Sequence, residues 1–370
     1  MQQSIIEPSY HALSIAVLML IIAALLLALL LFMLDITQSS NAIRRNYPLI
    51  GRFRTLFEHL GVFFRQYFFA MDREEMPFNR ALREWVYRAS KHEDNTIPFG
   101  STRNLSVTGN ISFVNCPYPT LDMDAVPIEP MIIGAECRFP YEAKSLFNIS
   151  GMSYGAISKV AVQALSKGSA RAGCWLNTGE GGLSAYHLEG GCDLVMQIGT
   201  AKYGVRDEHG NLSDDRLREI ASIQQVRMFE IKLSQGAKPG KGGMLPGNKV
   251  TLEIATIRGI HEGQDSISPN RHVEIDNAQA LLDMIARVRA VTGKPTGIKL
   301  VLGGCNVLDG LFEEINRRGA HSAPDFITLD GAEGGTGAAP QPLMDFMGLP
   351  LKESLPMLID HLVGYGLRDR

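Results

Sequence analysis

Three observations predict an α/β fold built on parallel strands. Beyond about Asn95 glycine becomes frequent, and short apolar, β-branched runs alternate with segments of helical periodicity, as when each strand is followed by a covering helix. Several of those runs end in glycine or a small polar residue, at the strand ends where a TIM barrel builds its active site. No segment repeats with a period of roughly 20 to 50 residues, which argues against a solenoid. The expected architecture is a (β/α)8 TIM barrel, incomplete with about six strands, preceded by one transmembrane helix and a helical linker. Candidate strands cover residues 147–150, 174–177, 194–198, 228–233, 297–302 and 326–329. The helix-like stretches SKVAVQALSKGSARAG, DDRLREIASIQQ, NAQALLDMIARVRAVTG and LDGLFEEINRRG lie between them.

Residues 1–11 are read as a tail, and residues 12–34, ALSIAVLMLIIAALLLALLLFML, carry no charge. At about 1.5 Å per helical residue this stretch covers a hydrocarbon core of ~30 Å, so a transmembrane helix is expected. A signal peptide, the rival reading, calls for a basic amino end and a shorter apolar region, whereas Glu7 and no Lys or Arg precede this one. Arg44, Arg45, Arg52 and Arg54 follow the span, which by the positive-inside rule makes the chain a single-pass membrane protein with a cytoplasmic catalytic domain. Residues 35–95 are the helical linker. Its segment RRNYPLIGRFRTLFEHLGVFFRQYFF is apolar enough to pack helices and basic enough to touch anionic lipid; packing on the following domain is the favoured role, because no clean amphipathic stripe dominates the linear sequence. Residues 96–370 form the barrel domain.

Composition narrows the function. Lysine plus arginine (36) nearly balances aspartate plus glutamate (39), so no global field draws nucleic acid or an acidic polymer. Cys116, Cys137, Cys174, Cys192 and Cys305 show no CxxC or other tight spacing, which argues against zinc or a local iron–sulfur cluster and fits a reducing compartment.

Four glycine-bearing loops follow candidate strands: SGMSYGAIS (150–158), NTGEGG (177–182), SQGAKPGKGGMLPG (234–247) and DGAEGGTGAAP (330–340). Glycine there permits positive φ and lets the backbone approach a flat or phosphorylated ligand. None matches the GxxxxGK[ST] or GxGxxG patterns in their required context, so neither an NTP nor a dinucleotide is indicated.

Taken in order, NTGEGG, EIKLSQGAKPGKGG with LPG, SPxxH (268–272), GIKLV and DGAEGGTGAAP resemble the FMN-binding synthase domain of glutamate synthases from about Phe99 to Arg370. The region from RRNYPLIGRFR to PFNR is similar to the membrane-anchored, stand-alone branch of that family. The resemblance implies FMN over the carboxyl ends of the strands, with Ser150, Met152 and Ser153 beside the isoalloxazine ring. It also implies that Lys232 and Gln235 hydrogen-bond the ring's heteroatoms and the substrate's carboxylates, and that Lys299 is the cation next to N1 and O2. Gly334, Gly335 and Gly337 would let a loop pass under the ring. Glu180 would join Lys299 as a catalytic residue, tied to ammonia delivery, with Asn177 and Lys238 as contacts for a dicarboxylate. The plainer alternatives are an end-of-strand lysine reaching solvent for Lys299 and a helix cap for Glu180. His272 is expected only to finish a loop.

The implied reaction is reduction of 2-iminoglutarate, formed from 2-oxoglutarate and ammonia or another amine donor, to L-glutamate, with a separate electron donor and an amidotransferase subunit as a further partner. Two departures accompany the resemblance. The family's [3Fe-4S] cysteines are absent, since none of the five reproduces their spacing, and no metal site is expected. About six strands fit where eight close a barrel, so a truncated or split chain with open sheet edges is expected. The alternatives are a non-catalytic membrane-tethered subunit, or a related FMN barrel acting on another amino or keto acid.

Overall fold

Apolar side chains on every face define the first helix, α1 (Gln3–Thr37), in the computed structural model, which describes residues 3–369 with side chains from Leu13 onward. Its segment Leu13–Thr37, 25 residues with mean hydropathy 3.3, is long and apolar enough to cross a membrane. The chain forms two compact units, residues 1–119 and 120–370. In the first, α2 (Ala42–Asn46) begins where the Asn41 side chain accepts the Arg44 N–H. α3 (Ile50–Phe64) runs without a break into a π-helical turn, Arg65–Phe69. α4 (Arg80–Ser90) is capped by Asn79, which accepts the Leu82 N–H. The helical character expected of the linker is present.

The second unit opens with an antiparallel hairpin, β1 (Met131–Ile133) and β2 (Tyr141–Ala143). There follow α5 (Lys159–Ala172), β3 (Leu176–Asn177), α6 (Ala185–Leu188), β4 (Leu194–Ile198), α7 (Asp214–Ser222) and β5 (Val226–Lys232). An excursion contains β6 (Met244–Leu245), α8 (Leu252–Arg258) and β7 (Ser266–Ile267), β6 and β7 pairing antiparallel. The chain then resumes with α9 (Ala278–Thr292), β8 (Thr296–Val301), α10 (Asn306–Arg318), β9 (Ile327–Asp330), α11 (Gln341–Phe346) and α12 (Leu351–Gly364). β3, β4, β5, β8 and β9 form one parallel sheet in that order, consistent with an incomplete TIM barrel.

Period-two alternation decides what each face of this sheet does. Met196, Ile198, Phe229, Ile231, Ile298 and Leu300 point to the helix side and share a core with Leu217 of α7, Ile285 and Val288 of α9, and Leu311 and Phe312 of α10. Full burial of such side chains is worth roughly 1.5–3 kcal/mol each. The alternate residues face inward. Near the amino ends of the strands they are apolar, and Val195 and Met228 pack with Ile133, Tyr141 and Ala143 of the hairpin. Toward the carboxyl ends they turn polar: Gln197, Glu230, Lys232, Lys299, Thr328 and Asp330. The hairpin therefore fills one end of the inner face and leaves the other for chemistry.

The strand expected over residues 147–150 shrinks to one rung. Ile149 bridges Leu176 in parallel, its N–H donating to Trp175 O (3.0 Å) and its carbonyl accepting the Asn177 N–H (3.0 Å). The preceding residue leaves the ladder because Asn148 spends its amide on a turn, donating to Ser145 O (3.0 Å) and accepting the Trp175 N–H (3.1 Å).

Lys294, between α9 and β8, is buried and donates to the carbonyls of Ala221 (2.6 Å) and Val226, so burial pushes its ammonium down to about 8. In the unfolded chain it titrates at the ordinary lysine value of 10.5. Below pH 8 both states hold the proton and this residue adds no slope. Between pH 8 and about 10 the unfolded state alone holds it, and stability rises with pH. Lys294→Met loses that rise, a difference read from urea midpoints in detergent on either side of pH 8.

Candidate functional site

Polar inward-facing residues build the site from the middle of the sheet upward. Glu230, buried in β5, accepts Asn177 Nδ2 (2.9 Å), Gln197 Nε2 (2.6 Å) and Thr328 Oγ1 (2.5 Å), so one carboxylate joins β3, β4 and β9. Two positions further along, Lys232 and Lys299 are register partners on adjacent strands. Neighbouring ammonium groups repel, and each here is met by a carboxylate. Glu180 Oε2 lies 3.2 Å from Lys232 Nζ, and Asp330 Oδ2 lies 3.5 Å from Lys299 Nζ. Lys232 also donates to Gln235 Oε1. Lys299 is buried rather than solvent-reaching, and Asp330 is the charge partner that linear reading did not supply.

Glu180 occupies a slot left by missing side chains. A Cβ at Gly199 would lie 2.6 Å from its own Cβ, and one at Gly243 would lie 2.2 Å from its Oε1. It does not cap a helix. Ser184 caps α6, in a capping box with His187.

A cavity of about 600 Å³ opens at these strand ends. Ser150, Met152, Ser153, Glu180, Lys232, Gln235, Lys238, Lys299, Gly334, Gly335 and Gly337 all line it. Added Cβ atoms at Gly335 and Gly337 would meet nothing within 4 Å, so bare backbone borders open space there. Gly334 instead packs on Asp330, whose Oδ1 would sit 3.0 Å from an added Cβ. Asn177 is placed differently. It lies behind Gly151, where an added Cβ would meet its Oδ1 at 2.8 Å, and it spends its polar atoms on Glu230 and the Gly179 N–H (3.0 Å), supporting the wall from behind.

The loops are tied to one another. The Gly236 N–H donates to Asp330 Oδ2 (3.1 Å), and a Cβ at Gly236 would lie 1.7 Å from Gly331 O, so only glycine allows that approach. Lys238 Nζ donates to Ala338 O (3.2 Å). Burial pushes the Lys238 ammonium below its ordinary value, with Glu180 opposing and Lys232 and Lys241 reinforcing the shift.

The excursion after β5 supplies a side of the cavity that sequence reasoning missed. Leu245, Val250, Ile254 and Ala255 give it a small core of its own, and α8 ends on Arg258, which lines the cavity. Arg258 is buried, donates to Ser266 Oγ (2.9 Å) and Tyr154 O (3.2 Å), and lies over the Tyr203 ring at 5.2 Å. Burial pushes its guanidinium below the usual arginine value, against the attraction of Tyr203 and Glu180, and its Nε has no partner among the described residues. A buried guanidinium with spare donors on a cavity wall is suited to an anion.

His272 backs the site rather than entering it. Burial pushes its imidazole below the ordinary value, so it is neutral near pH 7, and Nε2 donates to Lys232 O (3.0 Å).

Residues 110–370 match the family model described as the conserved region in glutamate synthase. The chain belongs to the glutamate synthase family. It is 39% identical over 378 residues to the glutamate synthase large subunit-like protein YerD of Bacillus subtilis, covering 92% of this chain and 71% of that protein. It is 34% identical over 221 residues to the archaeal glutamate synthase [NADPH] of Archaeoglobus fulgidus, covering 60% of this chain and 40% of the relative. The glutamate synthase [NADPH] large chain of Bacillus subtilis is 34% identical over 233 residues, and the match takes in 14% of its length. The chain is thus a glutamate synthase-like enzyme.

Within this family member, Glu230 had a readable signal: a carboxylate two residues before Lys232, on the inward phase of a strand whose middle is apolar. Arg258 had none, because only the return of the excursion brings it to the strand ends. Glu230→Leu leaves the buried amides of Asn177 and Gln197 and the half-buried hydroxyl of Thr328 unpaired, and at about 1–3 kcal/mol for each buried group the expected loss is at least about 2 kcal/mol. Glu230→Gln keeps one acceptor oxygen and loses less. Urea unfolding of both variants ranks them, and equal stability of Glu230→Leu and the parent would refute the hub.

Proposed function

We propose that this chain carries the FMN-binding synthase site of a glutamate synthase, and that it converts 2-iminoglutarate, formed from 2-oxoglutarate and ammonia, to L-glutamate. The observation that carries the reading is the convergence of Lys232, Lys238, Lys299 and Arg258 on one cavity bordered by the bare backbone of Gly335 and Gly337.

These residues fit a flavin ring. Gly335 and Gly337 leave a cradle for a flat group, Gly334 lines the same cavity while packing on Asp330, Ser150, Met152 and Ser153 border the same space, and Gln235 offers an amide to ring heteroatoms. Lys299, fixed by Asp330, supplies the positive charge that favours an anionic reduced flavin. FMN, when bound and reduced, supplies the hydride that turns the imine carbon into the α-carbon of an amino acid. The chain's own groups do the rest. Arg258 and Lys238 take the substrate's two carboxylates, and their burial strengthens those contacts relative to water. Glu180, held against Lys232, orients the amine and accepts the proton it sheds on attacking the carbonyl. Reducing equivalents and the amine, from free ammonium or an amidotransferase subunit, come from separate partners. NADPH stands in the names of the Archaeoglobus fulgidus relative and of the Bacillus subtilis large chain, which makes it the first ultimate electron source to test.

α1 anchors the chain in a membrane with the rest on the cytoplasmic side, a reading supported by its apolar length and by Arg44, Arg45, Arg52 and Arg54 just beyond it.

The purified chain is expected to bind FMN with a shifted flavin absorbance; failure to bind FMN sinks the proposal. Lys299→Gln is expected to lower the bound flavin's midpoint potential by about 30 mV, equivalent to ~1.4 kcal/mol for two electrons, while an unchanged potential removes its role. Arg258→Lys is expected to raise KM for 2-oxoglutarate about tenfold, ~1.4 kcal/mol of lost carboxylate binding, with the flavin spectrum unchanged. An unaltered KM would reassign Arg258 to wall packing.

A further inference from the structure

The amino-terminal unit holds a second surface, unrelated to the cavity. On the continuous helix formed by α3 and the π-helical turn, Ile50, Phe53, Leu56, Phe57, Leu60 and Phe64 fall on one side at spacings of three and four, a stripe obscured in the linear sequence. Among the described residues nothing covers it: Phe57 is 66% exposed and Phe69, at the end of the turn, 73%. The turn gathers five rings, with Phe63 4.9 Å from Tyr67, and Phe64 5.6 Å from Phe68 and 6.3 Å from Phe69. Patches of this kind are rare on soluble surfaces, whereas aromatic rings are favoured at the level of lipid headgroups.

Charge and chain continuity identify the occupant. Between residues 38 and 69, Arg44, Arg45, Arg52, Arg54 and Arg65 face the single carboxylate Glu58. Arg54 and Arg65 flank one edge of the stripe and Arg52 the other. The start of α3 is also fixed to the end of α1. Asp35, 1% exposed in the last turn of α1, accepts Arg52 Nη2 (2.8 Å) and Arg52 Nε (2.9 Å) and the Leu49 N–H (3.1 Å). Leu49 is thereby held at φ +64°, a costly conformation for a branched side chain that persists only when its neighbours impose it. Gly51 permits the close fold-back, since a Cβ there would lie 3.2 Å from Ile43 O and from Arg44 Cα.

We propose that α3 and its π-helical turn lie in the plane of an anionic bilayer, the same bilayer that α1 enters, with the aromatic stripe in the headgroup region and Arg44, Arg45 and Arg65 on lipid phosphates, Arg52 being held by Asp35 and Arg54 by Glu58. The proposal rests on the reading of α1 as a membrane span, and the test separates the two. The full chain, with Cys116 and Cys305 replaced by serine, is spin-labelled at one site at a time and reconstituted into phosphatidylcholine vesicles containing phosphatidylglycerol. Accessibility to oxygen and to a nickel chelate is then measured. Leu25→Cys reports α1: oxygen-accessible and chelate-protected supports the span, and chelate-accessible overturns the anchor and with it this proposal. With Leu25 immersed, labels at Phe57→Cys, Leu60→Cys and Phe64→Cys are expected to favour oxygen over the chelate, and labels at Glu58→Cys and His59→Cys to reverse that ratio. If 57, 60 and 64 are as chelate-accessible as 58 and 59, the in-plane helix is wrong while the anchor stands. If 57, 60 and 64 are shielded from both reagents, protein rather than lipid covers the stripe, and the proposal is likewise overturned.

Discussion

Two lysines cannot share the inner face of adjacent strands unless something answers their charge, and the candidate site is organised around that constraint. Lys232 and Lys299 are register partners, so sheet pairing itself brings the ammonium groups together. Glu180 and Asp330 answer them from either side, and Glu230 sits two residues below on β5, tied to neutral donors of three other strands. With Lys238, Lys249 and Arg258 lining the same cavity, five cations meet the two lining carboxylates Glu180 and Asp330, and Glu230 stands behind the wall. The formal surplus is positive. In a partly desolvated cleft that surplus is a standing preference for an anionic ligand, present before any ligand arrives.

The same groups make the cleft rigid. Asp330 binds both Lys299 and the Gly236 N–H, so fixing the cation also fixes the loop after β5. Lys238 reaches the carbonyl of Ala338 in the loop after β9, and the Ser268 N–H pairs with Gly243 O beside Glu180. His272 holds the carbonyl of Lys232 from behind. Loops that clamp one another need little ordering when a ligand binds, which favours both affinity and catalysis.

Much of this was legible in the sequence because it is local. β4 was delimited residue for residue by its apolar run, and the glycine loops announced the cavity because glycine is needed wherever backbone meets backbone or ligand. The misses at the site are long-range. Asn177 is expected to face the substrate, but from β3 its amide reaches across β4 to Glu230 on β5. Asp330 was read only as part of a loop, although β8–β9 pairing sets it beside Lys299. The strand over 147–150 kept its place next to β3 but not its length, because the side chain of Asn148 competes with the ladder for backbone groups. The amphipathic stripe of α3 is hard to see for another reason: Val62 lies off its side, and Phe63 with the run Tyr67, Phe68 and Phe69 crowds its end, so apolar residues blur the period in the linear sequence.

A carboxylate in the last turn of an apolar helix obeys the same electrostatics as the cavity floor. Asp35 would be costly to bury alone, and its stability in place comes from the bidentate guanidinium of Arg52 and a backbone N–H. What it yields is position: the arginine that neutralises it belongs to the next long helix, so the charge pair determines where that helix starts. Glu230 acts similarly in the other unit, collecting donors from separate strands and thereby holding those strands in register. In both units the buried acid supplies geometry, and removing its partners would release the elements it joins.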